Sequence, residues 1–139
     1  MRLSQRADYA MRMMVDAACM SSDQRMTIGK IAQRQDVSES FMAKIATQAA
    51  AAGLVVTQRG TGGGLVLSQP ADTITMLQIV EAIDGPLAFN RCTVEPSLCP
   101  RFNKCAVHLI WEKAQQQFKE LLSNTLLSEI AQAQSGIDG

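Results

Sequence analysis

"MTIGKIAQRQDVSESFMAKIATQAAAAGLVVTQRGTGGGLVLS", residues 26–68, decides how the rest of the chain is read. Two short amphipathic segments lie on either side of "QDVS". Thr27 is placed to cap the first, whose apolar contacts are Ile28, Ile31 and Ala32. Ser38 is placed to cap the second, which sets Phe41, Ile45, Ala49 and Ala52 on one face before Gly53 ends it. Two helices joined by a tight turn make a helix-turn-helix. The β-prone runs "LVVTQR" and "LVLS" follow, with "GTGGG" between them, so the pattern predicts a hairpin with a glycine-rich tip, a wing. The outward positions of the second helix are Glu39, Ser40, Ala43, Lys44, Thr47 and Gln48. With Ser38 at its start, it offers small or polar groups that suit base edges and phosphates in a major groove of double-stranded DNA. Arg59 at the wing tip is placed to enter a minor groove, and Gly60, Gly62 and Gly63 let backbone approach the sugar-phosphate chain.

Upstream, "LSQRADYAMRMMVDAACMSS" repeats apolar residues at helical spacing (Leu3, Ala7, Met11, Met14, Ala18), with Ser4 as N-cap. Gln5, Asp8, Arg12 and Asp16 form its polar stripe, and the fourfold spacings Asp8–Arg12 and Arg12–Asp16 read as an exposed salt-bridge ladder. Cys19 reads as a small core residue of that helix. Downstream, "DTITMLQIVEAIDGP" offers Thr75 and Gln78 as a capping box for a short helix closed by Gly85 and Pro86. From about Lys104 a long helix is expected, with Ala106, Leu109, Ile110, Ala114, Phe118, Leu121 and Leu122 along it, and Thr125 starts a short terminal helix. So little chain remains to cover that stripe that it is expected to pack on helix one and on a partner. A homodimer would then present two reading helices to the two half-sites of a palindromic operator. The expected fold is mainly α with a small β-hairpin wing. Residues 1–72 form a winged helix-turn-helix domain, 73–103 a short helix and cysteine-bearing loop, and 104–139 a dimerisation helix and tail.

The 139 residues are 47% hydrophobic and carry no net charge, enough for one respectable core. Residues 1–72 hold 8 Lys/Arg against 6 Asp/Glu and residues 73–139 hold 5 against 7, so DNA binding must come from placed charges rather than a strongly basic field. No apolar run is long enough to span a membrane and no secretory leader is apparent, so the chain is expected in the cytoplasm. Catalysis is not expected: there is one histidine, no nucleophile elbow, and no Lys-Ser/Thr after "GTGGG" to make a phosphate loop.

A second stretch, "RCTVEPSLCPRFNKCAVHLIW" (91–111), gathers three of the four cysteines and the single histidine. Cys92, Cys99 and Cys105 are spaced C-x6-C-x5-C, and His108 follows one helical turn after the last. Thiolates beside imidazole select zinc, copper(I) or iron-sulfur clusters. Structural zinc sites use tight cysteine knuckles, which are missing here, whereas wide spacings on a proline-containing loop suit a cluster. The competing reading is a metal-free thiol redox switch.

The start "MRLSQRADYAMRM", then "VSESFMAKI", "GLVVTQRGTGGGLVLS" and the cysteine triplet followed by "HLIW", resemble the IscR/NsrR/RirA-type bacterial winged-helix iron-sulfur regulators, from Met1 to about Ile130. The resemblance implies a dimeric transcription factor, in the first instance a repressor, whose cluster sits between the cysteine loop of one subunit and the first helix of the other. Cluster occupancy, set by iron, nitric oxide or oxidants, would then control DNA binding. The similarity to IscR makes Cys92, Cys99, Cys105 and His108 the ligands of a [2Fe-2S] cluster, which is preferred. The similarity to NsrR makes Asp8 of the partner's first helix complete a [4Fe-4S] site instead. The gap between the first two cysteines is one residue longer than in IscR and one shorter than in RirA, and Ala43 stands where IscR carries a glutamate. The alternative function is a cluster-free thiol-redox or metal-binding protein whose helix-turn-helix is incidental.

Overall fold

The structure, a computed structural model, describes residues 3–20, 25–58 and 63–139. Helix α1 (Gln5–Cys19) begins where the Ser4 hydroxyl accepts from the Ala7 amide at 3.0 Å. Helices α2 (Ile28–Gln35) and α3 (Glu39–Ala51) are capped in the same way by Thr27, which accepts from the Lys30 amide, and Ser38, which accepts from the Phe41 amide. Between them Asp36 takes the left-handed conformation (φ 55°), which a short polar side chain tolerates, and the chain reverses. Gly53 (φ 79°) ends α3.

Strands β1 (Val55–Gln58) and β2 (Gly64–Leu67) pair antiparallel from Val55 opposite Leu67 to Gln58 opposite Gly64, forming the expected wing. Gly64 has a physical reason to be glycine. Its φ is 142°, and a Cβ there would stand 2.7 Å from the Met26 carbonyl oxygen, which instead accepts from the Leu65 amide at 3.0 Å.

Helix α4 (Met76–Asp84) starts in the predicted capping box: Thr75 accepts from the Gln78 amide at 3.1 Å and the Gln78 side chain accepts from the Thr75 amide at 2.8 Å. The cysteine segment is less irregular than a loop. It contains the single turn α5 (Arg91–Val94) and two 3-10 turns, Pro96–Leu98 and Phe102–Lys104. Helix α6 (Ala106–Ser123) and helix α7 (Leu127–Asp138) complete the chain.

The core is built around α1, whose Ala7, Ala10, Met13 and Met14 are fully covered along with Ile31, Met42, Ile45, Leu65, Ile74, Ile79 and Leu127. Unbranched methionines fill the irregular gaps between the packed helices. Within one chain α1 packs chiefly on α4 and α7, while α6 lies against α4 and α5. The expectation that the long helix would cover helix one thus transfers mainly to α7. That helix is anchored by backbone bonds from the Met76 amide to the Thr125 carbonyl and from the Leu127 amide to the Ile74 carbonyl. Thr125 does not cap α7; its hydroxyl donates back to Leu121, and the Glu129 carboxylate accepts from the Leu126 amide at the helix start.

Three further expectations change. Cys19 is exposed at the end of α1, with its sulfur 3.6 Å from both the Ala131 carbonyl and the Ser135 hydroxyl, because α7 runs beside that end rather than over it. Ala52 is exposed, and Met42 takes the place in the core given to it. Asp16 is 4% exposed, so the ladder stops at the Asp8–Arg12 pair, 3.0 Å apart.

Candidate nucleic-acid interface and cysteine site

Helix α3 presents Ser38, Ser40, Lys44 and Thr47 to solvent, with Gln48 half-buried beside them. Ser38 is engaged as the cap and lies 3.4 Å from the Ser40 hydroxyl, while Thr47 donates to the Ala43 carbonyl at 2.9 Å. Glu39 turns away from this face: its carboxylate lies where a Cβ on Gly29 would meet it at 3.2 Å, beside the start of α2. A carboxylate there complements the partial positive charge of a helix N-terminus, and the exposed face keeps Lys44 as its charged group. Gly63 is half-buried at the base of the wing. Arg59, Gly60 and Gly62 lie outside the described residues.

Two cations that the sequence reading passed over flank this face. Arg6 of α1 donates from Nη1 to Gln48 Oε1 at 3.2 Å, and Arg25 donates to the Gln58 side chain on the wing strand. Neither is close in sequence to its partner, so no periodicity could have marked it. What holds α1 against α3 on this side is the edge-to-face contact of Tyr9 and Phe41 (centroids 5.7 Å apart). The Arg12 guanidinium covers Tyr9 from 4.9 Å.

Asp16 ties α1 to the helix-turn-helix. Its Oδ1 accepts from Arg34 Nε at 3.3 Å and Nη2 at 3.2 Å, and its Oδ2 accepts from Gln35 Nε2 at 2.9 Å. Hydrogen bonding to Asp16, then its negative charge, raises the Arg34 pKa above its ordinary value, so the guanidinium stays cationic. At the other end of α1, the Asp84 carboxylate accepts from the Ser4 amide at 3.0 Å and from the Ser4 hydroxyl. Helix α1 is therefore fixed at one end to the C-terminus of α4, where the chain turns toward the cysteines, and at the other to the end of α2.

In the cysteine segment, Cys105 and His108 line one open groove of about 530 Å³ with Phe102, Leu109 and Glu112. His108 is buried; its ring meets Phe102 edge-on at 6.0 Å and its Nε2 lies 3.9 Å from Glu112. Its Nδ1 is buried with no hydrogen-bond partner, which leaves a polar atom unsatisfied away from water. Cys92 donates to Asn90 Oδ1 at 3.1 Å, and Cys99 is half-buried. Among the described residues no three Cys, His, Asp or Glu side chains stand together as a metal site. The donor types and the orphaned histidine nitrogen suit an iron-sulfur cluster, and among the described residues Cys105 and His108 are brought to one groove. Asp8 is exposed and paired with Arg12.

Helix α6 leaves Val107, Leu109, Ile110, Trp111 and Leu121 exposed, and a groove of about 550 Å³ lined by Leu3, Phe89, Asn90, Trp111 and Phe118 runs beside it. Of the residues proposed for self-association, Leu122 belongs to the chain's own core and Phe118 packs on Phe89 (5.6 Å). Among the described residues no helix is long and apolar enough to cross a membrane.

Comparison with known proteins gives this arrangement its context. The chain is 30% identical over 134 residues to the HTH-type transcriptional regulator IscR of Yersinia pseudotuberculosis, an alignment covering 96% of this chain and 81% of that protein. Its fold superposes on CymR, described as the global cysteine regulator of B. subtilis, with a TM-score of 0.84 at 25% identity, covering 96% and 98% of the two chains. It also superposes on the IscR of T. potens with a TM-score of 0.76 at 23% identity, covering 96% and 88%. Residues 3–133 match the Rrf2 family model, described as an iron-dependent transcriptional regulator. With its capped helix-turn-helix, its wing and this match over nearly its whole length, the chain belongs to the Rrf2 family of transcriptional regulators.

Proposed function

We propose that this regulator is a homodimeric repressor, working in the cytoplasm on a palindromic operator, whose DNA affinity is set by an iron-sulfur cluster in the cysteine segment. Cys92, Cys99 and Cys105 would hold the cluster as thiolates and His108 would be the fourth ligand, favouring [2Fe-2S] over a [4Fe-4S] site completed by Asp8 of a second copy. The observation that carries this reading is the buried, unpartnered Nδ1 of His108, in the first turn of α6, in the same groove as Cys105, which immediately precedes that helix. When bound, a cluster supplies a centre responsive to iron supply, nitric oxide and oxidants. The residues of the chain do the rest. Gathering the three thiols closes the segment from Cys92 to Cys105. Asp84 and Ser4 pass its position to α1, and Asp16 passes the position of α1 to Arg34 and Gln35 at the end of α2. Ser38, Ser40, Lys44, Thr47 and Gln48 then read the major groove, with Arg59, Gly60, Gly62 and Gly63 at the minor groove. The exposed apolar row on α6 supports pairing with a second copy, which would set the half-site spacing.

Anaerobic purification followed by iron, sulfide and Mössbauer analysis tests the cluster. Stoichiometric iron and sulfide, lost in Cys92→Ala, Cys99→Ala and Cys105→Ala and spectrally shifted in His108→Ala, is the expected result. A disturbance by Asp8→Ala instead of His108→Ala would establish the cross-subunit ligand, and stoichiometric zinc without sulfide would exclude the cluster. A second reading, thiol sensing by the same cysteines without metal, is favoured by the absence of a three-donor group among the described residues. It predicts neither iron nor sulfide and a DNA affinity that follows thiol oxidation. In both readings the helix-turn-helix is the working part of the protein, since the family is one of transcriptional regulators.

A further inference from the structure

Arg6 is distant in sequence from the reading helix, yet its Nη1 donates to Gln48 Oε1 at 3.2 Å. A glutamine amide has two ends, an oxygen that accepts and an NH₂ that donates, and rotation by half a turn exchanges them. A guanidinium has only donors, so next to Arg6 the amide settles with its oxygen toward α1 and its Nε2 outward. A glutamine free to present both ends pairs with adenine, accepting from N6 while donating to N7; one that presents its NH₂ alone is matched to acceptors, of which guanine shows two in the major groove, O6 and N7. Cytosine shows a donor there and is repelled. We propose that Arg6 is a specificity-setting residue. By holding the Gln48 oxygen it makes Gln48 a donor-only reader that selects guanine over adenine at the base it faces, while the remaining N–H groups of Arg6 reach an adjacent phosphate.

This rests on the reading that α3 enters the major groove, and packing makes it reproducible. The Tyr9–Phe41 contact holds α1 against α3, so the pair does not depend on two freely swinging surface chains. In the free protein the bond is exposed and contributes little stability. Against DNA the same face loses water and the orientation it imposes acquires weight.

Selection of bound sites from randomised duplexes, with the intact wild type and with Arg6→Gln, Gln48→Ala and the double variant, tests the proposal. Gln48→Ala should remove the base preference at one position of each half-site, a loss on the order of tenfold in discrimination. Arg6→Gln should shift the preference at that same position from guanine toward adenine and weaken binding at all sequences. Added to Gln48→Ala, it should change no base preference further. Thermal unfolding of each variant at the wild-type temperature would show that the changes leave the fold intact. If Arg6→Gln weakens every sequence equally and leaves the preference unchanged, Arg6 is a phosphate contact and the proposal is overturned while the reading of α3 stands. If Gln48→Ala selects the same sites as wild type, Gln48 does not read a base and the proposal is overturned, while Ser40, Lys44 and Thr47 still carry the reading of α3.

Discussion

Replacing Arg34 by alanine should destabilise the protein more than replacing Asp16, although each substitution breaks the same ion pair. The carboxylate of Asp16 is 5% exposed and the guanidinium of Arg34 is 53% exposed, so the partners are left in different surroundings. Without Arg34 the buried carboxylate keeps only the neutral Gln35 donor at 2.9 Å. Removing one partner of a buried pair costs about 3–5 kcal/mol, and because Arg34 is half in water the lower end, about 3 kcal/mol, applies. Without Asp16 the guanidinium turns to solvent and Gln35 finds water, so the loss is that of a few partly exposed charge-assisted bonds, about 1–2 kcal/mol. The expected difference is about 1.5 kcal/mol, and with a urea dependence of about 2 kcal/mol per M the Arg34→Ala midpoint should fall below that of Asp16→Ala by roughly 0.7 M. Urea titrations of both variants at one protein concentration and neutral pH measure it. Equal midpoints, or a lower one for Asp16→Ala, would refute the argument from asymmetric burial.

Gly64→Ala should loosen the wing, since its Cβ would stand 2.7 Å from the Met26 carbonyl at a φ of 142°. A cost of about 1–3 kcal/mol is expected in thermal unfolding, with faster amide exchange at Leu65. Ile110→Asp, on an exposed part of α6, should leave folding unchanged and shift sedimentation toward the monomer; a dimer of unchanged affinity would remove α6 from the interface. Lys44→Ala should weaken DNA binding at all sequences and reduce the salt slope by about one unit, whereas Arg59→Ala should mainly alter preference at A·T-rich flanks, both read by gel-shift titration at several salt concentrations.

What was legible in the sequence is what the chain settles locally. Ser4, Thr27, Ser38 and Thr75 each bond to an amide three residues on, so spacing alone marks four helix starts, and Gly53 marks a helix end. What escaped depends on which surfaces meet. Asp16 has the spacing of a solvated ladder but is buried because α2 brings Arg34 and Gln35 over it. Cys19 sits on an apolar helix but beyond the edge of the core, and Glu39 faces α2 rather than the outward face. The Arg6–Gln48 pair joins two helices far apart in sequence, whose approach no local spacing marks. The cysteine segment was legible as chemistry and not as geometry: spacing identifies the donors, but Cys92 turns to Asn90 while Cys105 and His108 share a groove.

The central claim is that the state of the cysteine segment controls reading by α3, and the most direct test is one quantitative footprinting titration. The operator is titrated at fixed salt with cluster-loaded protein, with the same preparation after cluster removal, and with Cys92→Ala. The account predicts that the loaded form differs from the other two by at least about tenfold in affinity, within the usual range of coupling between sites, and that its footprint differs in extent. Identical affinities and footprints for all three would contradict it.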